Sequence, residues 1–457
     1  MPRYLNANEG VSGKSGGGKK GKSSSGNRRR NPSKDANSGR PKSAGMVDDV
    51  ASASNFDMFS DVNSESGRLS IQGSVDDDMV SVAAESVFGA GGEITEDQWA
   101  ALEEKLKENI DNATHKNTNI RTPALKSLEK YLSGHYMPDF LENQKMTIAD
   151  CMERLLRKGT DGRTAVKLVS LLVLQLGSSC SESAAGIVSL LKTLVNDPAL
   201  SEQYRADCAL ALGVCISIAE EESENVVSAS ECLRTAWSHV KIHSASPESA
   251  PYFSAAVAAW TFVLLQAPTK HLEQALTADL PKLAAYFESS QLEIRIAAGE
   301  AVALLYELAN DIYAEFRPPS HFHTLEVLER MSTESTKHTA KKDRRLQRAS
   351  FRDIYAAVKN NETPKLTVKL QPEVLTIDTW SSKLCYDIFC QVLAGGINVH
   401  LKENPILRDT FDLGPPLPSG ISFKRMSKSE RQSIANTVSK ARTLIRGKQR
   451  DKRMAAF

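Results

Sequence analysis

The sequence predicts an all-α chain, an armadillo- or HEAT-like helical solenoid, and three observations predict it. An arginine returns at one place in successive helical patterns, at Arg121, Arg163 and Arg205 with intervals of 42 residues, and again at Arg295. The last interval, 90 residues, is two units of 45 whose missing member falls on Tyr252. Each of these positions opens the same stripe of small or apolar residues three, seven and eleven places on: Ala124/Leu128/Leu132, Val166/Ser170/Leu174, Cys208/Leu212/Ile216, Ala255/Ala259/Val263 and Ala298/Val302/Tyr306. Finally, a period in the 40s has room for two helices per unit, as in arrays whose helix pairs bury their apolar faces only by stacking on neighbours. Such an array offers a long binding surface, so a scaffold is expected before a catalyst.

Taken in order, helical periodicity predicts elements at 96–112, 118–133, 138–157, 162–176, 182–195, 201–220, 224–241, 250–265, 269–287, 291–313 and 320–333. Their short separations suit antiparallel neighbours. The pattern changes after 360. "KLTVKLQPEVLTI" alternates around Pro372 and reads as two short strands or extended segments, Leu366 to Leu370 and Val374 to Ile377. A helix follows from Thr379 to Ala394, broken at Gly395-Gly396, and "DLGPPLPSG" from Asp412 is a rigid linker that cannot be helical. A last helix is framed by Ser429 with Gln432 three residues on, a capping box, and by Gly447 as its stop.

The net charge of +1 hides a strong segregation. Residues 1–45 form a Gly/Ser-rich stretch of net +9 with almost no large apolar side chains, which cannot bury enough surface to offset the entropy of ordering. Residues 46–97 carry net −11, and residues 424–457 again +9. The expected organisation is therefore a disordered basic tail (1–45), a disordered acidic segment (46–97), helical repeats (98–334), a C-terminal region with a basic helix and short extended segments (335–423), and a basic C-terminal helix and tail (424–457). The seven cysteines are odd in number, form no Cys-x-x-Cys pair and sit mostly at apolar helical positions, as small core residues in a reducing compartment do. No apolar stretch reaches about 18 residues, and no hydrophobic core segment follows the basic, glycine-rich N-terminus. A soluble intracellular protein, cytoplasmic and nuclear, is expected.

Chemistry-bearing motifs are few. "GGGKKGKS" at 16–23 matches the phosphate-loop pattern but lacks the strand before it and the helix after it that would hold its backbone N–H groups in a nest. His239 and His243 stand four apart on one helical face, without a nearby third ligand. No nucleophile elbow or Cys/His pairing appears. The expectation is no enzyme, no cofactor, no metal and no small-molecule substrate.

Two basic segments are more informative. Lys337, Lys341, Arg344, Arg345, Arg348 and Arg352 recur at steps of three or four and line one helical face, with Asp343 the only acid between 337 and 352. Leu346, Phe351, Ile354 and Val358 are left to face the body. Charged helix faces on solvated rims usually mix signs, so this one points to an acidic partner or a phosphate backbone. In the second segment, Ile434, Val438, Ala441 and Ile445 form a thin apolar stripe flanked by Lys428, Arg431, Lys440, Arg442 and Arg446, and Lys448, Arg450, Lys452 and Arg453 follow. A helix of this length with one weak stripe is marginal alone and is expected to lock on meeting its partner. The lack of bulky aromatics within it argues against a membrane, and its Arg/Lys content argues for phosphates contacted through backbone and shape.

Four long blocks in order, "MTIADCMERLLRKG" (Met146 to Gly159), "EIRIAAGEAVALLYELA" (Glu293 to Ala309), "KHTAKKDRRLQRASFRDIYAAV" (Lys337 to Val358) and "YDIFCQVLAGGINVHLKENPILRDTFDLGPP" (Tyr386 to Pro416), resemble the interferon-related developmental regulator family over residues 98–457. The resemblance implies an armadillo-like protein without catalytic activity. It further implies association with the ribosome, rRNA and ribosomal proteins, that holds the particle inactive with the C-terminal helix in the mRNA/tRNA path. A second role attached to the family is transcriptional co-regulation as a protein-interaction scaffold within nuclear complexes.

Overall fold

The structure is a computed structural model and describes residues 96–313, 315–333, 340–370 and 373–416. The terminal charged segments, Lys337 and the expected helix after Ser429 lie outside the described residues.

The array begins with α1 (Glu96–Ala113), α2 (Thr118–Gly134), α3 (Pro138–Lys158), α4 (Gly162–Leu176), α5 (Ser181–Val195), α6 (Glu202–Ala219), α7 (Ser223–Ser238) and α8 (Ser249–Leu264). It continues with α9 (Thr269–Ala278), α10 (Leu280–Ala285), α11 (Leu292–Ile312), α12 (His321–Thr333) and α13 (Lys341–Asn360). The expected repeat is present. Helices α2, α4, α6, α8 and α11 carry the recurring stripe, and every stripe residue is buried except half-buried Ala255. One contiguous apolar core runs from Leu102 to Phe411.

The repeating arginine, Arg163 excepted, ties its helix to the segment that leads into it. Arg121 donates to the His115 and Lys116 carbonyls, Arg205 Nε to the Val195 carbonyl at 2.9 Å, and Arg295 Nη1 to the Ser289 carbonyl at 2.6 Å. These carbonyls end one turn or helix without an intrahelical donor, and a charged donor satisfies them strongly. Tyr252, at the position without arginine, joins its neighbour's arrangement: its ring lies 4.0 Å from the Arg205 guanidinium, and its hydroxyl accepts from Arg205 and donates to Val195 O. Arg163 departs from the pattern, reaching forward to Asp207 on α6.

The single helix expected over 269–287 is broken. Pro281 supplies no N–H and its ring would clash with the carbonyl of residue 277, so the chain restarts at Leu280 with Pro281 in the first turn. Buried Asp279 at the joint is held by Arg234 and Lys282. Helix α7 also ends at Ser238, three residues early, so His239 caps its C-terminus and His243 lies in the following turn. The two histidines do not share a helical face.

After α13 the chain forms a two-stranded antiparallel sheet, β1 (Leu366–Lys369) and β2 (Val374–Ile377), with Leu366 opposite Ile377 and Lys369 opposite Val374. Three helices follow: α14 (Trp380–Leu393), α15 (Ile397–Glu403) and α16 (Pro405–Thr410), with a 3-10 turn at Ala394–Gly396. The turn has a steric reason, because a Cβ on Gly396 would sit 1.6 Å from the Ser133 carbonyl oxygen. Helix α14 packs against α2, α4, α8 and α11, and α15 returns to α2. Two stretches, Gly162–Val195 and Trp380–Glu403, are apolar enough over 18 residues to resemble membrane spans, contrary to the expectation that none exists. Each is interrupted by a 3-10 turn, and each is a packing element of the array.

Candidate nucleic-acid interface

The first basic segment forms the N-terminal half of α13. Its opposite face carries Phe351 and Ile354, both fully buried, with Ala357 and Val358. Phe351 meets Phe287 edge-on at 5.8 Å. Gly299 on α11 allows this seating, because a Cβ there would lie 2.7 Å from Ile354 Cδ1. Arg295 fixes the rotation of the helix by donating to Gln347 Oε1 at 2.7 Å. A rigid, packed helix is thus presented side-on.

Lys341, Arg345 and Arg352 are exposed, while Arg344 and Arg348 are half-buried with their stems along the helix. Leu346, expected inward, is half-buried as well. Arg348 Nε donates to the Arg344 carbonyl at 3.3 Å, and Arg344 Nε is buried with no acceptor among the described residues. Several arginines and lysines elsewhere in the array are ion-paired: Arg121 pairs with Asp161, Arg234 with Asp279, and Lys383 with Glu300 and Asp387. Among the described residues, none of Lys341, Arg344, Arg345, Arg348 and Arg352 is paired in this way. Five like charges on about three turns of one helix face repel one another and are relieved by an external anion. The structure thus brings Lys341, Arg344, Arg345, Arg348 and Arg352 onto one face. Lys337 falls outside the described residues, as do Lys428, Arg431, Lys440, Arg442, Arg446, Lys448, Arg450, Lys452 and Arg453.

The long binding surface expected of the array is partly covered by the chain itself. Glu307 on α11 accepts from the Trp380 and Ser381 amides at 2.7 and 2.9 Å, capping the N-terminus of α14. Burial opposes the charge of Lys383, and Glu300 and Asp387 more than restore it, holding its pKa above the ordinary range. At the other end Asn404 donates to the Leu174 carbonyl at 2.7 Å. His400 is fully buried, with Tyr136 edge-on at 6.2 Å.

Sequence reasoning missed Arg408, which is fully buried. Its guanidinium meets Glu373 as a fork, Nη1 to Oε2 at 2.9 Å and Nη2 to Oε1 at 2.8 Å, and those hydrogen bonds hold the Glu373 carboxyl below its usual range. It also donates to the carbonyls of Leu401, Leu413 and Gly414. Nothing adjacent to Arg408 marks it, because its carboxylate partner is 35 residues away.

Residues 69–359 match the family profile described as interferon-related developmental regulator, and residues 404–454 match the one described as interferon-related protein conserved region. The chain is similar to interferon-related developmental regulator 1 of Sus scrofa, with 35% identity over 366 residues covering 77% of this chain and 81% of the relative. The Homo sapiens protein of that name is 34% identical over the same span. Interferon-related developmental regulator 2 of Mus musculus is 34% identical over 388 residues, covering 82% of this chain and 88% of the relative.

Proposed function

Since this chain belongs to the interferon-related developmental regulator family, we propose that it binds the ribosome and holds it translationally inactive. In this reading the helical array docks through the basic face of α13 on rRNA, and residues 424–453 enter a nucleic-acid channel and exclude mRNA or tRNA. The observation that supports it best is the rigid single-signed face of Lys341, Arg344, Arg345, Arg348 and Arg352, unpaired among the described residues. Such a face gains affinity by releasing counterions from a phosphate backbone and reads no base sequence. The match over 404–454 supports treating the basic C-terminal segment as part of the same machinery. A cytoplasmic protein with a nuclear pool, needing no cofactor and no membrane, fits this role. The competing reading, a nuclear scaffold gripping partners along its inner helices, is less favoured because α14 already lies across four of them.

Deleting 424–457 is expected to leave the array folded and to abolish inhibition of translation in a cell extract. Unchanged inhibition removes the insertion mechanism. Sedimentation decides between the two readings: co-migration with monosomes after nuclease treatment supports ribosome binding, and a nuclear, ribosome-free pool supports the scaffold.

A further inference from the structure

Large apolar side chains left in water are few in this array, and half of them gather at one corner. Of the six exposed among the described residues, Ile312, Tyr313 and Phe322 lie where α11 ends and α12 begins, and Phe322 is 76% exposed. Tyr313 stacks on Phe316 at 6.2 Å, and Phe316 meets Tyr306 edge-on at 5.4 Å. The Tyr306 hydroxyl lies 3.1 Å from Nδ1 of buried His321, whose ring stands 5.5 Å from that of Phe322. A ladder of five rings therefore runs through the corner, closed inside and open at both ends. Pro318 and Pro319 stiffen the loop that carries it. Rigid aromatics presented in this way supply large contact area at little cost in conformational entropy, and such side chains anchor protein interfaces.

The charge around the corner selects what covers it. Phe322, Glu326 and Glu329 follow one another at i, i+4 and i+7 on the exposed stripe of α12. Asp311, Glu315 and Glu362 are exposed around the ends of α11 and α13, and Glu273 on α9 accepts from the Tyr313 hydroxyl at 2.7 Å. Those two helix ends meet, since Asn310 Nδ2 donates to Asn361 Oδ1 at 3.1 Å, and each adds the partial negative charge of a helix C-terminus. Against these six carboxylates stand Arg317, Arg330 and Lys359, with Arg317 paired to Glu315 at 3.4 Å. A phosphate backbone or an anionic lipid surface is repelled by such a field. Lysine and arginine match both features at once, with aliphatic stems for the apolar surface and cationic heads for the ring faces and the carboxylates.

We propose that the corner of Ile312, Tyr313 and Phe322 docks a lysine- and arginine-rich segment of a protein partner. Its ligand is opposite in charge to that of the cationic face of α13, so it stands whether or not α13 meets rRNA.

The test uses the full-length protein and fluorescence anisotropy with two probes, a labelled twelve-residue peptide of repeating Arg-Leu-Lys and a labelled twelve-nucleotide oligouridylate. Phe322→Ala is expected to weaken peptide binding at least about fivefold. It should leave oligouridylate binding and the melting temperature unchanged, because the ring is exposed. Glu326→Gln with Glu329→Gln is expected to weaken the peptide about tenfold at low salt. Glu104→Gln with Glu108→Gln on α1, the same change of charge elsewhere, should weaken it by less than about twofold. Equal losses from the two charge pairs reduce the attraction to net charge and overturn the proposal. Peptide binding that ignores Phe322, or no saturable binding, overturns it as well. A loss of oligouridylate binding on Phe322→Ala makes the ring a stacking platform for RNA and has the same consequence.

Discussion

Lowering the pH is expected to detach α15 from α2 through His400. The imidazole is fully buried at this junction, with Asn404 Nδ2 at 3.4 Å from Nδ1. Burial pushes its pKa down from 6.5 to about 4, against the opposing pull of the Leu132 and Ser133 carbonyls. The folded state therefore holds His400 neutral while the unfolded chain protonates it near 6.5. Stability from this group is fully present above that value and is lost as pH falls toward 4, because the unfolded state binds the extra proton first. Between about pH 7.5 and about pH 5 the difference in proton affinity amounts to roughly 2 kcal/mol. Urea denaturation at the two pH values measures it. His135 and His321 are shifted in the same direction, both mainly by burial, so the decisive quantity is the contrast with a variant. His400→Gln should be less stable than the parent near neutral pH and should lose about 2 kcal/mol less on acidification. An identical pH dependence for parent and variant would refute the reasoning.

Other perturbations follow from the same geometry. Tyr252→Phe removes the hydroxyl that links Arg205 to the Val195 carbonyl and should cost about 1–3 kcal/mol, measured by chemical denaturation. Gly396→Ala forces a Cβ against backbone at Ser133 and should cost about 1–3 kcal/mol, with faster amide exchange in α15. Arg345→Gln with Arg352→Gln should leave the melting temperature unchanged, since both side chains are exposed, and should flatten the slope of log affinity for rRNA against log salt by roughly one to two units. In the C-terminal segment, Arg442→Gln with Arg446→Gln should flatten it by a similar amount, roughly one to two units, and an unchanged slope would make those charges merely solvated.

What could be read from the sequence was what is local or periodic. The spacing of Arg121, Arg163, Arg205 and Arg295 exposed the repeat because three of the four solve one packing problem with one side-chain arrangement, Arg163 alone reaching forward, and Tyr252 shares its neighbour's hydrogen bonds. The alternation around Pro372 likewise yielded a real hairpin. The break before Pro281 is masked in the sequence by the strong apolar period of 269–287, which runs through it. The end of α7 was overrun for a similar reason: Val240 and Ile242 continue the apolar pattern, but their backbone does not continue the helix. The like-charged face of α13 was legible because it needs only one helix and one sign. The Arg408 fork and the bond from Asn404 to the Leu174 carbonyl were not, because their partners lie 35 and 230 residues away and no local period records them.

A repeat array ordinarily feels only its neighbours, so its stability is a chain of adjacent terms and its ends fray independently. Here α14 touches α2, α4, α8 and α11, tying the second helix of the array to the eleventh like a bowstring across a bow. Stretching or untwisting any stretch between those helices must also shear the string. The protein should accordingly melt in a single transition and hold one curvature, where an unstrung array of the same helices would flex.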